Sequence, residues 1–304
     1  MKRSKSLSLI IIALVYIIVA VGCYFLYGVF DNLLPDKMND RLLIMMIILD
    51  LISTIFVFIM STIFNNSSIY DPYWSVVPIL MIVFFAYKVG NLTNGFVVML
   101  ISVILVWGLR LTVNWIYTFK NLHYQDWRYQ SLKDKHPKLW PLINLFGIHL
   151  IPTIVVFIGM LPAFKFVLEI DRNAVPTIST YLGVIIALLA VIIETVADVQ
   201  MHMFKKISSN ALLVCDKGLW KNSRHPNYFG EILFWIGIWM IGTSFYKDPN
   251  WILIFSPIIV FLLFVAISIP MMEKHQLENK PAYKEYMENT NMLLPIFPKT
   301  KKNK

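Results

Sequence analysis

The sequence predicts an all-α membrane protein: one integrated, polytopic membrane helical bundle of about eight transmembrane helices. Of the 304 residues, 58% are hydrophobic and only 15% are charged, which is too apolar for an ordinary soluble domain. Apolar runs of roughly 17–25 residues, the length that crosses the hydrocarbon core of a bilayer, recur along the chain. We therefore expect a multi-pass integral membrane protein whose first partner is the lipid bilayer.

The apolar runs predict the spans in order. The first run, residues 7–30, follows a basic N-terminus. It is longer than the apolar region of a signal peptide and lacks a clear cleavage pattern of small residues, so it predicts a span and not a removed leader. Further spans are predicted at residues 42–64, 73–90, 95–119, 146–168, 177–201, 227–245 and 250–270.

The placement of basic residues predicts the orientation of the bundle. Most Lys and Arg residues lie before the first span and in 119–146, 201–226 and 271–304. Because basic loops collect on the cytoplasmic side, this spacing requires an even number of spans and both termini in the cytoplasm. The loop 65–72 contains no basic residue, which leaves open a re-entrant pair of the second and third segments. An Ile- and Lys-rich chain of this sort suggests a bacterial plasma membrane.

The formal net charge of +9 does not predict a nucleic-acid partner, because the basic residues flank apolar runs and do not cover one soluble face. The two cysteines, Cys23 and Cys215, indicate neither a disulfide framework nor a metal site. The chain also contains no CxxC, HExxH or GxGxxG motif. We expect no metal ion and no soluble dinucleotide-binding module.

Charged side chains inside predicted spans mark candidate sites, because they are costly there and usually face a cavity or a partner. Glu194 and Asp198 are four residues apart, which puts both carboxylates on one helix face. Such like charges favour protonation of one of them, or a partner that hydrogen-bonds to both. Asp198 could instead be solvated at the helix end. His149, near the start of another span, is more often a packing residue than a ligand.

Residues 216–232 form the densest polar block of the chain. Lys217, Lys221 and Arg224 precede Pro226, which is typical of the first position of a helix. A cationic loop that runs into a helix N-terminus favours anions, and phosphates above all. A basic interfacial loop would explain the lysines, but it would not explain Glu231, one turn into the following helix. The block therefore predicts a ligand site.

The same block resembles a known family. Gly218–Trp220 (GLW) and Ser223–Ile232 (SRHPNYFGEI) are similar to the C-terminal region of the steroid 5-alpha-reductase family, and more closely to the bacterial branch of that membrane superfamily, whose function is unknown. Met272–Leu277 (MEKHQL), Pro281–Tyr286 (PAYKEY) and Leu293–Pro295 (LLP) follow in the order and spacing of that family's ending. The resemblance covers roughly residues 140–298.

The resemblance implies an NADPH-dependent reductase of an activated C=C bond in a lipid-soluble substrate, which could be steroid-, isoprenoid- or fatty-acyl-like. Residues 141–304 would then bind the cofactor on the cytoplasmic side, and residues 1–140 would form the substrate side. Glu194 stands where the family usually has Asn, and the family's Gln-Glu catalytic pair has no clear match. The implied cofactor-binding residues are Glu194, Asp198, Arg224, His225, Asn227, Tyr228, Glu231 and His275.

A reductase of this kind needs an acid that hydrogen-bonds the substrate carbonyl as negative charge develops on it. The candidates in the N-terminal half are Asp71, Tyr73 and Tyr124. An aromatic belt at the membrane surface would also account for Tyr73.

Two alternatives stay open. The Arg224–Tyr228 segment (RHPNY) also resembles the isoprenylcysteine carboxyl methyltransferases, which use S-adenosylmethionine; there Arg224, His225 and Glu231 would hold the cofactor. The pair Glu194 and Asp198, together with Gly230-Glu231, favours the reductase. The third interpretation is a lipid-binding membrane protein without catalytic activity.

Overall fold

The computed structural model describes residues 4–33, 40–170, 175–207, 212–245 and 251–295. Within these ranges the regular structure is helical, and the extended pairing is one isolated parallel bridge between Ser223 and Asn291. The predicted all-α class is therefore confirmed for the described chain. The N-terminal Lys2 and Arg3 and residues 296–304 of the predicted basic C-terminal region lie outside the described ranges.

Ten helices are used in the description below. They are α1 (Lys5–Leu33), α2 (Arg41–Ile63), α3 (Tyr73–Val89), α4 (Gly95–Thr118), α5 (Trp127–Lys135), α6 (Trp140–Glu169), α7 (Ile178–Lys205), α8 (Pro226–Thr243), α9 (Ile252–Asn279) and α10 (Tyr283–Asn289). Helix α6 contains a π-helical stretch at Ile143–Leu150, and α9 contains one at Phe264–Ser268. Short 3₁₀ turns occur at Ser67–Ile69 and Gly218–Lys221.

Seven helices in the described chain are long and apolar enough to cross a membrane: α1, α2, α3 with its preceding turn, α4, α6, α7 and α9. A multi-pass membrane protein is thus confirmed. The predicted span at 227–245 corresponds to α8, which is a helix but does not belong to this group. Much of its surface is buried within the protein, including Glu231, Phe234 and Trp235. The count of eight spans and the cytoplasmic termini stay predictions.

Two span boundaries differ from those expected. Helix α6 begins at Trp140 and not at 146, because Pro141 occupies its first turn and the chain continues helically through the π-helical stretch. Helix α9 continues to Asn279 and not to 270. Its last turns, from Met272 onwards, are polar, so the apolar run ended before the helix did.

Local sequence explains where several helices begin and end. The Thr177 hydroxyl accepts a hydrogen bond from the Thr180 amide, and the Thr180 hydroxyl accepts one from the Thr177 amide, which caps the start of α7 reciprocally. Pro226 occupies the first position of α8. Helix α3 ends at Gly90, whose φ of 80° lies in the left-handed region that glycine adopts without steric cost.

The described contacts divide the chain into two compact units. Unit 1 comprises Met1–Leu92 and Trp107–Phe157, and unit 2 comprises Thr93–Val106 and Ile158–Lys304. Unit 2 therefore contains the predicted ligand block, and unit 1 contains the candidate acids Asp71, Tyr73 and Tyr124.

Helices α7 and α8 form the tightest contact of unit 2, which relies on small residues. At Gly237 of α8, an added Cβ would lie 2.7 Å from the Gly183 carbonyl oxygen and 2.8 Å from the Ala187 amide nitrogen. At Gly230, an added Cβ would lie 2.9 Å from the Ala190 carbonyl oxygen. Small residues let the two backbones approach closely, which is a principal way for helices to associate in a membrane.

Replacing Gly237 by Ala should destabilise unit 2, because the new methyl group meets backbone atoms of α7 that cannot move aside cheaply. Overpacking of this kind costs about 1–3 kcal/mol. Gly28→Ala in α1 is the matched control, since a Cβ there has no neighbour within 4 Å. Thermal unfolding of the two variants in detergent should show a clear loss for Gly237→Ala alone. Equal melting temperatures would contradict the close α7–α8 contact.

Candidate functional site

The loop before α8 is fixed to α7 by a 3₁₀ turn. The Trp220 indole Nε1 donates to the Ala197 carbonyl at 2.9 Å, and the Leu219 amide donates to the Gln200 side chain at 2.9 Å. Gly218 has a φ of 60° and lies directly against the Gln200 amide group, so a side chain there would be both strained and obstructed. These contacts place the cationic loop beside the end of α7 that carries Asp198.

Glu273 of α9 contacts both Arg224 and His225 of the block. Its Oε1 accepts a 2.6 Å hydrogen bond from Arg224 Nε and lies 3.2 Å from His225 Nε2. The side chains of Arg224, His225 and Glu273 are only 8%, 7% and 12% exposed. A buried Arg–carboxylate pair needs further hydrogen bonds to be satisfied. Arg224 Nη1 has them, because it donates to the carbonyls of Met287 and Thr290.

The segment after α10 completes this arrangement, and we call residues 290–293 the C-terminal strap. The amides of Arg224 and His225 donate to the carbonyls of Asn291 and Met292 at 2.8 and 3.1 Å. The Ser223 hydroxyl donates to the Leu293 carbonyl at 2.7 Å. The strap thus satisfies the backbone donors that directly precede α8, and the His225 amide also donates to the Ser223 hydroxyl at 3.1 Å.

A second group lies between α7 and the first turns of α8. Asn227 Nδ2 donates to Asp198 Oδ1 at 3.4 Å, and the Glu194 side chain, 1% exposed, lies directly against Gly230. One turn further, Glu231 Oε1 accepts a 2.9 Å hydrogen bond from the Trp235 indole and is 4% exposed. Two buried carboxylates and a third, half-buried one therefore gather at the start of α8.

The remaining predicted cofactor residues flank these groups. The Tyr228 ring stacks on the His225 ring with 5.3 Å between centroids and 5° between planes, and it also contacts Phe264 at 4.7 Å. His275 lies on α9, and its Nδ1 is 3.2 Å from the Asn279 amide nitrogen. Arg224 and His225 thus contact Glu273, and Tyr228 stacks on His225. Glu194, Asp198 and Asn227 lie at the α7–α8 contact, whereas Glu231 binds Trp235 of its own helix.

Glu273 is the residue that the sequence did not identify as part of the site. It belongs to the MEKHQL motif, but nothing in its spacing from Arg224, 49 positions earlier, connects the two. The sequence did offer one signal, which is that Glu273 is an acid in the polar turns that follow an apolar run. A carboxylate that becomes buried there requires a cationic partner.

In unit 1 the three candidate acids have different surroundings. Tyr73 is buried, and its hydroxyl donates to Asp50 Oδ1 at 2.8 Å. Asp71 Oδ1 accepts a 2.7 Å hydrogen bond from the Tyr129 hydroxyl. Burial and the nearby Asp71 carboxylate raise the pKa of Tyr129, so its phenol stays protonated and continues to donate. Tyr124 is 59% exposed, with the Lys120 ammonium 3.8 Å above its ring centre.

A buried polar network surrounds Tyr73 in unit 1. The Tyr70 ring stacks on Tyr73 with a centroid distance of 5.1 Å, and the Tyr70 and Thr153 hydroxyl oxygens are 2.8 Å apart. His149 uses both ring nitrogens: Nδ1 donates to the Asn144 carbonyl at 2.8 Å, which leaves Nε2 to accept from the Ser61 hydroxyl at 3.0 Å. These contacts favour the packing role of His149.

Comparison with known protein families identifies the family of this chain. The model of a family described as "Protein of unknown function (DUF1295)" matches residues 57–290. The chain belongs to this family. The match covers α3 to α10 and so includes the loop before α8, Glu273 and the network around Tyr73.

Another comparison gives a eukaryotic relative of this DUF1295 protein. An uncharacterized protein of Schizosaccharomyces pombe is 22% identical over 257 residues, which cover 76% of this chain and 73% of the relative. No solved structure matches the chain. The resemblance to the steroid 5-alpha-reductases stays a prediction.

Replacing Glu273 by Ala should destabilise the loop before α8, because Arg224 would remain buried without its carboxylate partner. Breaking one side of a buried ion pair costs about 3–5 kcal/mol. Hydrogen exchange of the Arg224 and His225 amides, which the strap protects, should accelerate together with a fall in melting temperature.

Glu278→Ala on the same helix is the control, because Glu278 is exposed and surface substitutions usually change stability by less than about 0.5 kcal/mol. Unchanged amide protection in Glu273→Ala would show that the ion pair does not hold the loop.

Proposed function

We propose that this DUF1295 protein is a membrane-embedded, NADPH-dependent reductase of an activated C=C bond in a lipid-soluble, steroid-, isoprenoid- or fatty-acyl-like substrate. The observation that supports the proposal best is the meeting of the α7 acids with the first turns of α8. Asp198 accepts from Asn227, and Glu194 lies against Gly230. The resemblance of the same segments to the steroid 5-alpha-reductases favours the same cofactor.

The chemistry of these side chains suits a dinucleotide. Carboxylates at Glu194 and Asp198 accept hydrogen bonds from ribose hydroxyls or from a carboxamide, and the Asn227 amide can both donate and accept. Three carboxylates near one helix start do not suit a purely anionic ligand. They suit a molecule that has many hydroxyl and amide donors as well as phosphates.

The phosphates need positive charge from the same loop. Arg224 already binds Glu273 through Nε and two backbone carbonyls through Nη1, so we assign it chiefly to holding the loop in shape. Lys217, which precedes the 3₁₀ turn, and Lys221, its last residue, are both exposed, and we assign the phosphate charge to them. The N-terminal end of α8 adds the positive end of the helix dipole.

When bound, NADPH would supply a hydride to the electron-poor carbon of the substrate. Tyr73 is our candidate for the acid, because its hydroxyl is buried and held by Asp50. The Tyr73 phenol would donate its proton to the carbonyl oxygen of the substrate as charge develops there, which gives an enol. The enol would tautomerise to the saturated carbonyl compound, its α-carbon gaining a proton from water as the hydroxyl loses one. Asp50 in its protonated form would return a proton to Tyr73 and be reprotonated from water. Asp71 is held by Tyr129, and Tyr124 is largely exposed, so both are weaker candidates.

Titration of the purified protein with NADPH should raise its melting temperature, because a ligand that binds only the folded state stabilises it. At one hundred times the dissociation constant the gain is about 2.7 kcal/mol. Asp198→Asn and Glu231→Gln, which keep side-chain shape, should weaken the response. Glu278→Gln should not.

The competing functions give different results in the same titration. Stabilisation by S-adenosylmethionine alone would replace the reductase by a methyltransferase. Stabilisation by neither compound would favour a lipid-binding protein without catalysis. A full response to NADPH in both site variants would show that the cofactor binds elsewhere.

Tyr73→Phe should slow reduction of an apolar α,β-unsaturated ketone about 10²–10⁴-fold, the usual contribution of a general acid, with unchanged NADPH affinity. Oxidation of NADPH in proteoliposomes measures the rate. Tyr87→Phe is the control, because Tyr87 lies on the same helix and is 64% exposed. Equal rates in the two variants would exclude Tyr73 as the proton donor.

A further inference from the structure

Helix α7 presents two faces with different side chains. One face carries the small residues Gly183, Ala187, Ala190 and Ala197, which are buried, three of them lying against α8. Another face carries a stripe of bulky apolar residues at helical spacing, and all of them are exposed. We call this the α7 stripe, and it consists of Ile185, Leu189, Ile192, Val196, Val199 and Met203.

The α7 stripe leads directly to positive charge. Lys206 follows Met203 by three residues and so continues the same line. Lys205 is its neighbour, and both are exposed at the end of the helix. The whole α7 stripe is about 27 Å long, and its part next to the lysines, from Ile192 to Met203, is about 16 Å long, roughly half of the ~30 Å hydrocarbon core. That length fits one acyl chain of one leaflet.

A third lysine, from a different segment, interacts electrostatically with Lys205. Lys280 follows the end of α9 and is half-buried. Burial and then the nearby Lys205 ammonium lower the pKa of Lys280, which agrees with two ammonium groups held close enough to repel each other. An anion beside Lys205, Lys206 and Lys280, which we call the basic edge, would relieve that repulsion.

We propose that the α7 stripe and the basic edge form a binding site for one anionic phospholipid, with the phosphate at the lysines and an acyl chain along the stripe. None of the three lysines is among the residues assigned to the cofactor, and the proposal does not depend on the proposed reductase activity. Positive residues close to a membrane surface attract anionic headgroups, and the stripe supplies the apolar contact that a free phosphate would not use.

A second copy of the chain fits this surface less well. Helices associate in membranes chiefly through small residues, and α7 uses its small residues against α8. Copies inserted with the same topology would pair these helices in parallel, so that Lys205 and Lys206 of one copy would face the same lysines of the other. Like charges at that position would oppose the pairing.

The test compares dioleoyl phosphatidylglycerol with dioleoyl phosphatidylcholine, which has the same chains and no net charge. Native mass spectrometry of the full protein in neutral detergent should show at least ten-fold tighter retention of phosphatidylglycerol, weakened by salt. The double variant Lys205→Gln/Lys280→Gln should weaken it about five-fold for each lysine. Lys135→Gln/Lys138→Gln, the same change of charge at exposed positions of unit 1, should not.

A photo-crosslinking residue at Val199 supplies a readout that does not depend on the lysines. Formation of a phospholipid adduct supports the proposal, and a covalent dimer of the chain overturns it in favour of self-association. Equal retention of the two lipids, equal loss in both lysine variants, or full competition by inorganic phosphate would also overturn it.

Discussion

The close approach of α7 and α8 is the constraint on which unit 2 depends. A Cβ added at Gly183 or at Gly237 would lie within 3 Å of backbone atoms of the facing helix, so the register of the two helices is fixed by backbone shape. That register brings Glu194 opposite Gly230 and Asp198 next to Asn227. With larger residues in the contact, the helices would separate and the acids would lose their shared position at the start of α8.

Charge burial is the second constraint, and it follows from the first. A loop docked on α7 takes Arg224 and His225 out of water, and Glu273 offsets the charge of Arg224 at 2.6 Å. Carbonyls of Met287 and Thr290 bind the guanidinium, and carbonyls of the strap bind the preceding amides. The result resembles a soluble core more than a lipid-facing surface, which explains why α8 lacks the composition of a free span although it is helical.

The sequence predicted the elements well because length and apolarity are local properties. Seven of the eight predicted spans correspond to long apolar helices of the described chain, two of them with shifted boundaries, and the start of α8 at Pro226 followed from its missing N–H. The burial of α8 within the protein could not be predicted, because Ile, Phe and Trp side chains pack equally well against lipid and against other helices. The Glu273–Arg224 contact is set by the tertiary path of α9, and Tyr73–Asp50 by the packing of α2 against α3. Neither contact produces a periodic pattern in the sequence, so a single sequence does not reveal it.

The strap has a consequence for how the protein is made. Residues 290–293 hold the amides of Arg224 and His225, yet they leave the ribosome more than sixty positions later. Chains emerge and fold from the N-terminus, so α7 and α8 are synthesised while the loop between them still lacks these carbonyl acceptors. The backbone hydrogen bonds at the polar end of this helix pair can therefore form only after the C-terminal strap has been synthesised.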